Sequence, residues 1–133
     1  MTLTDTIENT QRHTHEVIAI SQYDQVMDAA RLMYEHRIGC LVVTVDETDE
    51  TMVGIVSERD ILAWISNASP NTYFQKVRTI MTRKVVTSRP EAPLNESIEK
   101  MKQNHIRHMP TVVDGKAVGM LSVRDLLQRD IIV

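Results

Sequence analysis

The sequence predicts an α/β (α+β) fold made of one β-α-β-β-α unit used twice, the two copies packed by a pseudo-twofold through their sheets. Three observations predict it. The tract Val53-Gly54-Ile55-Val56-Ser57-Glu58-Arg59-Asp60-Ile61-Leu62 returns as Val118-Gly119-Met120-Leu121-Ser122-Val123-Arg124-Asp125-Leu126-Leu127, at an offset of 65 from Gly54 to Gly119. Upstream, Val17, Val26, Ala30, Met33 and Ile38 are matched by Val85, Leu94, Ile98, Met101 and Ile106, at an offset of 68 from Met33 to Met101. The change of offset falls in one loop, because 46–52 is seven residues long where 114–117 is four. A period of this size marks a duplicated structural unit. Finally, a single copy would leave one apolar sheet face in water, which packing sheet against sheet avoids.

Each element can be justified in order, with agreement between the copies as support. Residues 15–20 and 84–87 are short runs carrying β-branched residues, which predict a first strand. A helix follows in each copy. In the second, Pro93 suits the first helical position, and Leu94, Ile98, Met101 and His105 share one face at spacings of four, three and four. In the first, Val26, Ala30, Met33 and Arg37 occupy the equivalent points, with Asp24 as the expected N-cap. Strands are expected at 40–45 and 52–56, and again at 109–113 and 117–121. Asp114-Gly115 is a hairpin signal between the latter pair. Final helices are expected at 58–66 and 123–129. Residues 67–72 read as a linker rich in helix-stopping residues, and further helices are expected at 2–9 and 73–81. The domain reading is thus a first repeat over 1–66, a linker over 67–72 and a second repeat over 73–133.

With 133 residues, 42% of them apolar and 25% charged, the chain has the composition of an ordinary globular domain. Eighteen acidic against fifteen basic residues give a net charge of −3, which provides no long-range attraction for nucleic acid. No apolar run is long enough to span a membrane, and the polar N-terminus lacks the features of a secretory signal. The single cysteine, Cys40, cannot form an internal disulfide. These features together predict a cytoplasmic protein.

The repeated Gly-h-h-Ser-x-Arg-Asp tract, where h is apolar, carries the chemistry. A strand is expected to end at Ser57 and Ser122 and a helix to start directly after. Free N–H groups and the helix dipole make such a start attractive to phosphate. Arg59 and Arg124 add planar cations suited to phosphate oxygens. Asp60 and Asp125 offer two acceptor oxygens, as a ribose cis-diol requires. The same Ser-x-x-Asp pattern is also close to a capping box, in which serine and acid satisfy backbone N–H groups at the helix start. Duplication alone does not separate these readings, since a structural cap would also be copied.

The whole chain resembles a tandem pair of cystathionine-β-synthase (CBS) domains, a Bateman module, of the small stand-alone bacterial kind. The resemblance rests on Ile80-Met81-Thr82, Ile106-Arg107-His108-Met109-Pro110, Ile38-Gly39-Cys40-Leu41-Val42-Val43 and the two Ser-x-Arg-Asp tracts. It implies a non-catalytic regulatory module with clefts between the repeats for AMP, ADP, ATP, NAD(H) or S-adenosylmethionine. AMP comes first among these, and whether Mg²⁺ accompanies a polyphosphate is left open. It further implies that Asp60 and Asp125 bind ribose, with Ser57 and Ser122 near ribose or phosphate. The base would lie against Ile38, Gly39 and Cys40 or against Ile106, Arg107, His108 and Met109. Pro110 is the proline common in this family, where the first copy has Val42. Thr82 and Lys84 are weaker candidates for the same cleft. Arg107 and His108 replace Gly39 and Cys40, so the second cleft is the first choice for a phosphorylated ligand.

A homodimer, an unidentified regulated protein partner and a role in energy sensing follow from the same resemblance. The alternative is a ligand-free structural or protein-interaction module. No motif couples a nucleophile, a base and a charge stabiliser, so no enzyme is expected. The five histidines show no recognised metal-ligand spacing, and Cys40 reads as a small buried residue opening a strand. Met33 and Met101 read as core. The acidic run over 46–50 reads as a solvated loop rather than a Mg²⁺ site.

Overall fold

A computed structural model describes residues 9–67 and 74–128. Most of the expected helix over 2–9, most of the 67–72 linker, Tyr73 and Arg129 lie outside the described residues. The chain divides into two compact units that are cut differently from the sequence repeats. Among the described residues, the first unit holds 18–67 and 74–85, and the second holds 9–17 and 86–128.

In the first unit, β1 (Ala19–Ser21) pairs parallel with β2 (Cys40–Thr44), which pairs antiparallel with β3 (Met52–Ser57). The helices are α1 (Val26–His36) and α2 (Glu58–Ser66). Every residue of β2 is buried, which matches its unbroken apolar run and central position in the sheet. The second unit contains α3 (Leu94–Asn104), β4 (His108–Val113), β5 (Lys116–Ser122) and α4 (Val123–Gln128). Asp114 and Gly115 join its antiparallel strands with φ of 50° and 80°, the pair of positive values that a tight hairpin of matching twist demands. Both hairpins carry a register shift at the same repeat position, Val43/Thr44 and Thr111/Val112.

Several local expectations are corrected. Residues 84–87 form no strand; only Ser88 makes a parallel bridge, to Thr111. The reason is Pro110. Its counterpart Val42 donates its N–H to Ile18 O at 3.1 Å, a ladder bond that proline cannot make. The first strand likewise shortens from 15–20 to Ala19–Ser21. Pro93 is the N-cap of α3 rather than its first residue, and Gln25 rather than Asp24 caps α1. Asp28 returns a carboxylate oxygen to the Gln25 N–H at 3.1 Å, while Asp24 serves the preceding turn by accepting from Ser21 N. Arg37 and His105 lie past the helices as left-handed C-caps, with φ of 54° and 53°. The helix expected at 73–81 is only a 3-10 turn over Val77–Thr79 among the described residues.

The buried helix faces also shift by one position, to Val26, Ala29 and Met33 and to Leu94, Ser97 and Met101. Ser97 escaped the apolar pattern because it is polar. Its hydroxyl lies 2.6 Å from that of the fully buried Thr10, which also donates to Ala92 O at 2.9 Å. The first unit has Ala29 and the fully buried Val77 in the matching places. One unit thus fills these places with methyl groups and the other with hydroxyls. Around them, Ile20, Leu41, Val43, Val56 and Ile61 fill the first core, and Met109, Leu121 and Leu126 fill the second.

Each unit is completed by a segment from outside its own repeat, laid against the last strand of the hairpin. Thr82 bridges Ile55, with Ile55 N donating to Thr82 O at 3.0 Å and Thr82 N donating to Ile55 O at 2.8 Å. His15 bridges Met120 in the same way, at 2.9 and 3.1 Å. The repeated glycines allow this approach. A Cβ on Gly54 would stand 2.7 Å from Thr82 O, and one on Gly119 would stand 2.5 Å from Thr14 Oγ1.

Two predictions follow from this packing. Gly54→Ala should cost about 1–3 kcal/mol in urea unfolding, because the colliding atom is backbone and the bridge must move; an unchanged midpoint would contradict the close approach. Burial, with the Asp60 carboxylate adding to it, pushes the Cys40 thiol from 9.0 up to about 12. Between those two values the unfolded chain loses this proton while the folded chain keeps it. The stability contributed is therefore complete below about pH 9 and lost as pH rises toward 12. Unfolding free energy measured over that alkaline range should fall less steeply in Cys40→Ala than in the parent protein.

Candidate functional site

The hairpin geometry assembles the same constellation in both units. In the first, Cys40 pairs with Ser57, and Glu58 N donates to Gly39 O at 3.0 Å. In the second, His108 pairs with Ser122, and Val123 N donates to Arg107 O at 3.0 Å. The start of one strand is thereby fixed beside the strand-to-helix turn that carries serine, arginine and aspartate. Gly39 and Cys40 are brought to Ser57, and Arg107 and His108 to Ser122. Arg59 and Arg124 are both exposed at the first turns of their helices.

The two aspartates are engaged differently. Asp60 closes a full capping box: its N–H donates to Ser57 Oγ at 3.2 Å, while its Oδ2 accepts from Ser57 N at 2.9 Å and from Ser57 Oγ at 3.1 Å. The Thr82 hydroxyl also reaches both Asp60 oxygens at 3.4 Å. In the second tract only half of the box forms, with Asp125 N donating to Ser122 Oγ at 3.1 Å. Among the described residues the Asp125 carboxylate returns no hydrogen bond to the Ser122 N–H. Its Oδ2 is screened from solvent, receives no hydrogen bond among the described residues, and has His15 Nδ1 3.2 Å away without hydrogen-bond alignment.

The remaining candidates are placed as follows. Thr82 opens the second half of the sequence but stands beside Asp60 of the first tract. Lys84 is exposed, and no contact ties its side chain to either tract. Cys40, Met109 and Pro110 direct their side chains into the interior. What they can offer a ligand is therefore backbone. Ile38 and Ile106 are half-buried, and Ile106 borders an apolar depression of about 260 Å³ with Ile98, Met101 and Val123. Among the described residues, no three His, Cys, Asp or Glu side chains gather as a metal site. In the acidic loop, Asp46 Oδ1 accepts from Thr48 N, Thr48 Oγ1 and Asp49 N at 2.8, 2.7 and 3.0 Å. The Thr48 hydroxyl and backbone hold the Asp46 carboxyl below its ordinary value.

His15 is the residue beside the second tract that the sequence pattern does not single out. The histidines show no metal-ligand spacing, and the run over 15–20 reads as a first strand of the first repeat. The available signal was Thr82. Both residues bridge equivalent positions of the last strand, Ile55 and Met120, and both reach the aspartate that follows.

Comparison with known proteins identifies the family. The CBS domain family matches residues 12–67 and 77–131. The CBS domain-containing protein CBSX3, mitochondrial, of Arabidopsis thaliana is 35% identical over 107 residues, covering 79% of this chain and 52% of that protein. The chain thus spans about half the length of that curated relative. Among solved structures, the CBS domain protein PAE2072 from Pyrobaculum aerophilum, complexed with AMP, superposes with a TM-score of 0.80 at 26% identity over 90% of each chain. The CBS domain pair of protein MJ0100, in complex with 5-methylthioadenosine and S-adenosyl-L-methionine, superposes with a TM-score of 0.82 at 25% identity. That match covers 93% of this chain and 96% of that one. No helix among the described residues is long and apolar enough to cross a membrane. With both family matches falling on the two halves that carry the duplicated tract, the chain belongs to the CBS domain family as a tandem pair.

Proposed function

We propose that the chain is a non-catalytic regulatory module that binds one adenosine-containing ligand, AMP first among the candidates, at its second tract. The observation that carries this reading is the Asp125 carboxylate. Asp60 commits its Oδ2 to the capping box and has the Thr82 hydroxyl at 3.4 Å from its Oδ1, whereas Asp125 Oδ2 takes no hydrogen bond among the described residues. A ribose diol offers two hydroxyl donors to such a group once His15, 3.2 Å from that oxygen, moves off it. Hydrogen bonds to a charged acceptor contribute about 1.5–3 kcal/mol each, enough for the ribose to dominate recognition. Arg124 and Arg107, both exposed near the turn, supply cations for a phosphate. Support also comes from the AMP and S-adenosyl-L-methionine named with two structural relatives.

The first tract supports a second role, as a structural cap. Its serine and aspartate satisfy one another, so Asp60 acts there mainly in holding the start of α2. Output passes by a change of conformation or association to a protein partner. A homodimer is the expected assembly, and exposed Leu62 and Ile65 on α2 provide apolar surface for it.

Calorimetric titration of nucleotide-stripped protein with AMP, ADP, ATP, NAD(H) and S-adenosylmethionine tests the reading. One site per chain is expected, and Asp125→Ala should weaken binding at least about 100-fold while leaving the fold intact. Asp60→Ala should instead cost about 0.5–2 kcal/mol of stability through the lost cap. No heat and no rise in melting temperature with any of these ligands, or binding indifferent to Asp125→Ala, would contradict it.

A further inference from the structure

Thr82 and His15 occupy equivalent places, yet they differ in one chemical respect. A threonine hydroxyl keeps its charge state at every ordinary pH, whereas an imidazole changes charge near neutrality, with an ordinary value of about 6.5. The residue set against Asp60 therefore cannot titrate, and the residue set against Asp125 can. His15 Nδ1 and Asp125 Oδ2 stand 3.2 Å apart, with both side chains 25% exposed. A neutral imidazole gains little from this contact, because no N–H is aligned on the oxygen. An imidazolium turns it into an ion pair.

Resting on the reading of Asp125 as the ribose acceptor, we infer that His15 gates this carboxylate and makes the affinity of the second tract pH dependent. Protonated His15 ties down Asp125 Oδ2, and a ribose must break that pair to bind. Neutral His15 releases it. The direction follows: binding of the ribose weakens as pH falls through the imidazole range and is restored above it. The threonine beside Asp60 confers no such dependence.

Other charged and titratable groups lie on the elements around the pair. They are Arg12 and His13 in the preceding 3-10 turn, Glu16 next along the segment, Arg124 on α4, Arg107 and His108 at the start of β4, and Lys116 on β5. The dependence assigned to His15 is the part that a substitution at His15 removes.

Adenosine is the direct probe, since it carries the ribose but no phosphate and does not titrate between about pH 5.5 and 8. Its affinity for the parent protein should fall about fivefold from the upper to the lower value, the size of a partly exposed ion pair. In His15→Asn, which keeps a polar side chain of fixed charge, that fivefold fall should be lost. In Thr82→Val the parent's dependence should remain. Circular dichroism at both pH values establishes that each variant is folded, with His15→Ala as a second variant should the first not fold. Where adenosine is too weak to measure, AMP takes its place. Its phosphate titrates equally with both proteins, so the difference between parent and variant is read. A parent affinity that does not change with pH, or an identical dependence in His15→Asn, would overturn the gate while leaving nucleotide binding in place. Absence of binding by adenosine and AMP at every pH would overturn the gate and the ribose assignment together.

Discussion

The backbone bridge between each hairpin and a segment from outside its repeat is the constraint on which the rest depends. Paired N–H and C=O groups lock Thr82 to Ile55 and His15 to Met120. These bridges can form only where Gly54 and Gly119 leave room for the incoming chain. They decide which side chain faces which aspartate. Without them, Asp60 and Asp125 would be two copies of one helix cap. With them, one carboxylate gains a hydroxyl neighbour and the other an imidazole. The duplicated glycine, which opens the tract in sequence, is thus a steric permission for the contact that separates the two sites.

The same logic runs through the packing. Duplicated positions keep their geometry while changing their chemistry, and the local structure follows the chemistry. Val42 donates a ladder bond and keeps a first strand; Pro110 cannot, and the matching strand shrinks to the single bridge at Ser88. Ala29 and Val77 lie in one apolar core, whereas Ser97 and Thr10 meet through hydroxyls in an equally buried place. A buried hydroxyl is tolerable only when paired, so those two positions are coupled: each is satisfied by the other or by Ala92 O.

Much of this was legible in the residues. The hairpins, the helices after them and the serine-to-aspartate turns follow from periodicity and from the repeat itself, and α2 spans the expected residues. What escaped the sequence has physical causes. Strand pairing that swaps terminal segments between repeats leaves no periodic trace, so His15 was assigned to a strand of its own repeat. Ser97 was hidden because a hydroxyl breaks an apolar pattern even when it is buried. The split between the aspartates was invisible because Ser-x-x-Asp reads the same whether the carboxylate closes the box, as at Asp60, or leaves it, as at Asp125.

In the proposed function the Asp125 carboxylate, which returns no bond to its cap, receives a ribose. In a crystal structure grown with AMP, both ribose hydroxyls should lie within about 2.5–3.0 Å of that carboxylate, with His15 displaced and the Ser57–Asp60 box intact. A ribose seated on Asp60, or a bound nucleotide that leaves Asp125 against His15, would contradict it.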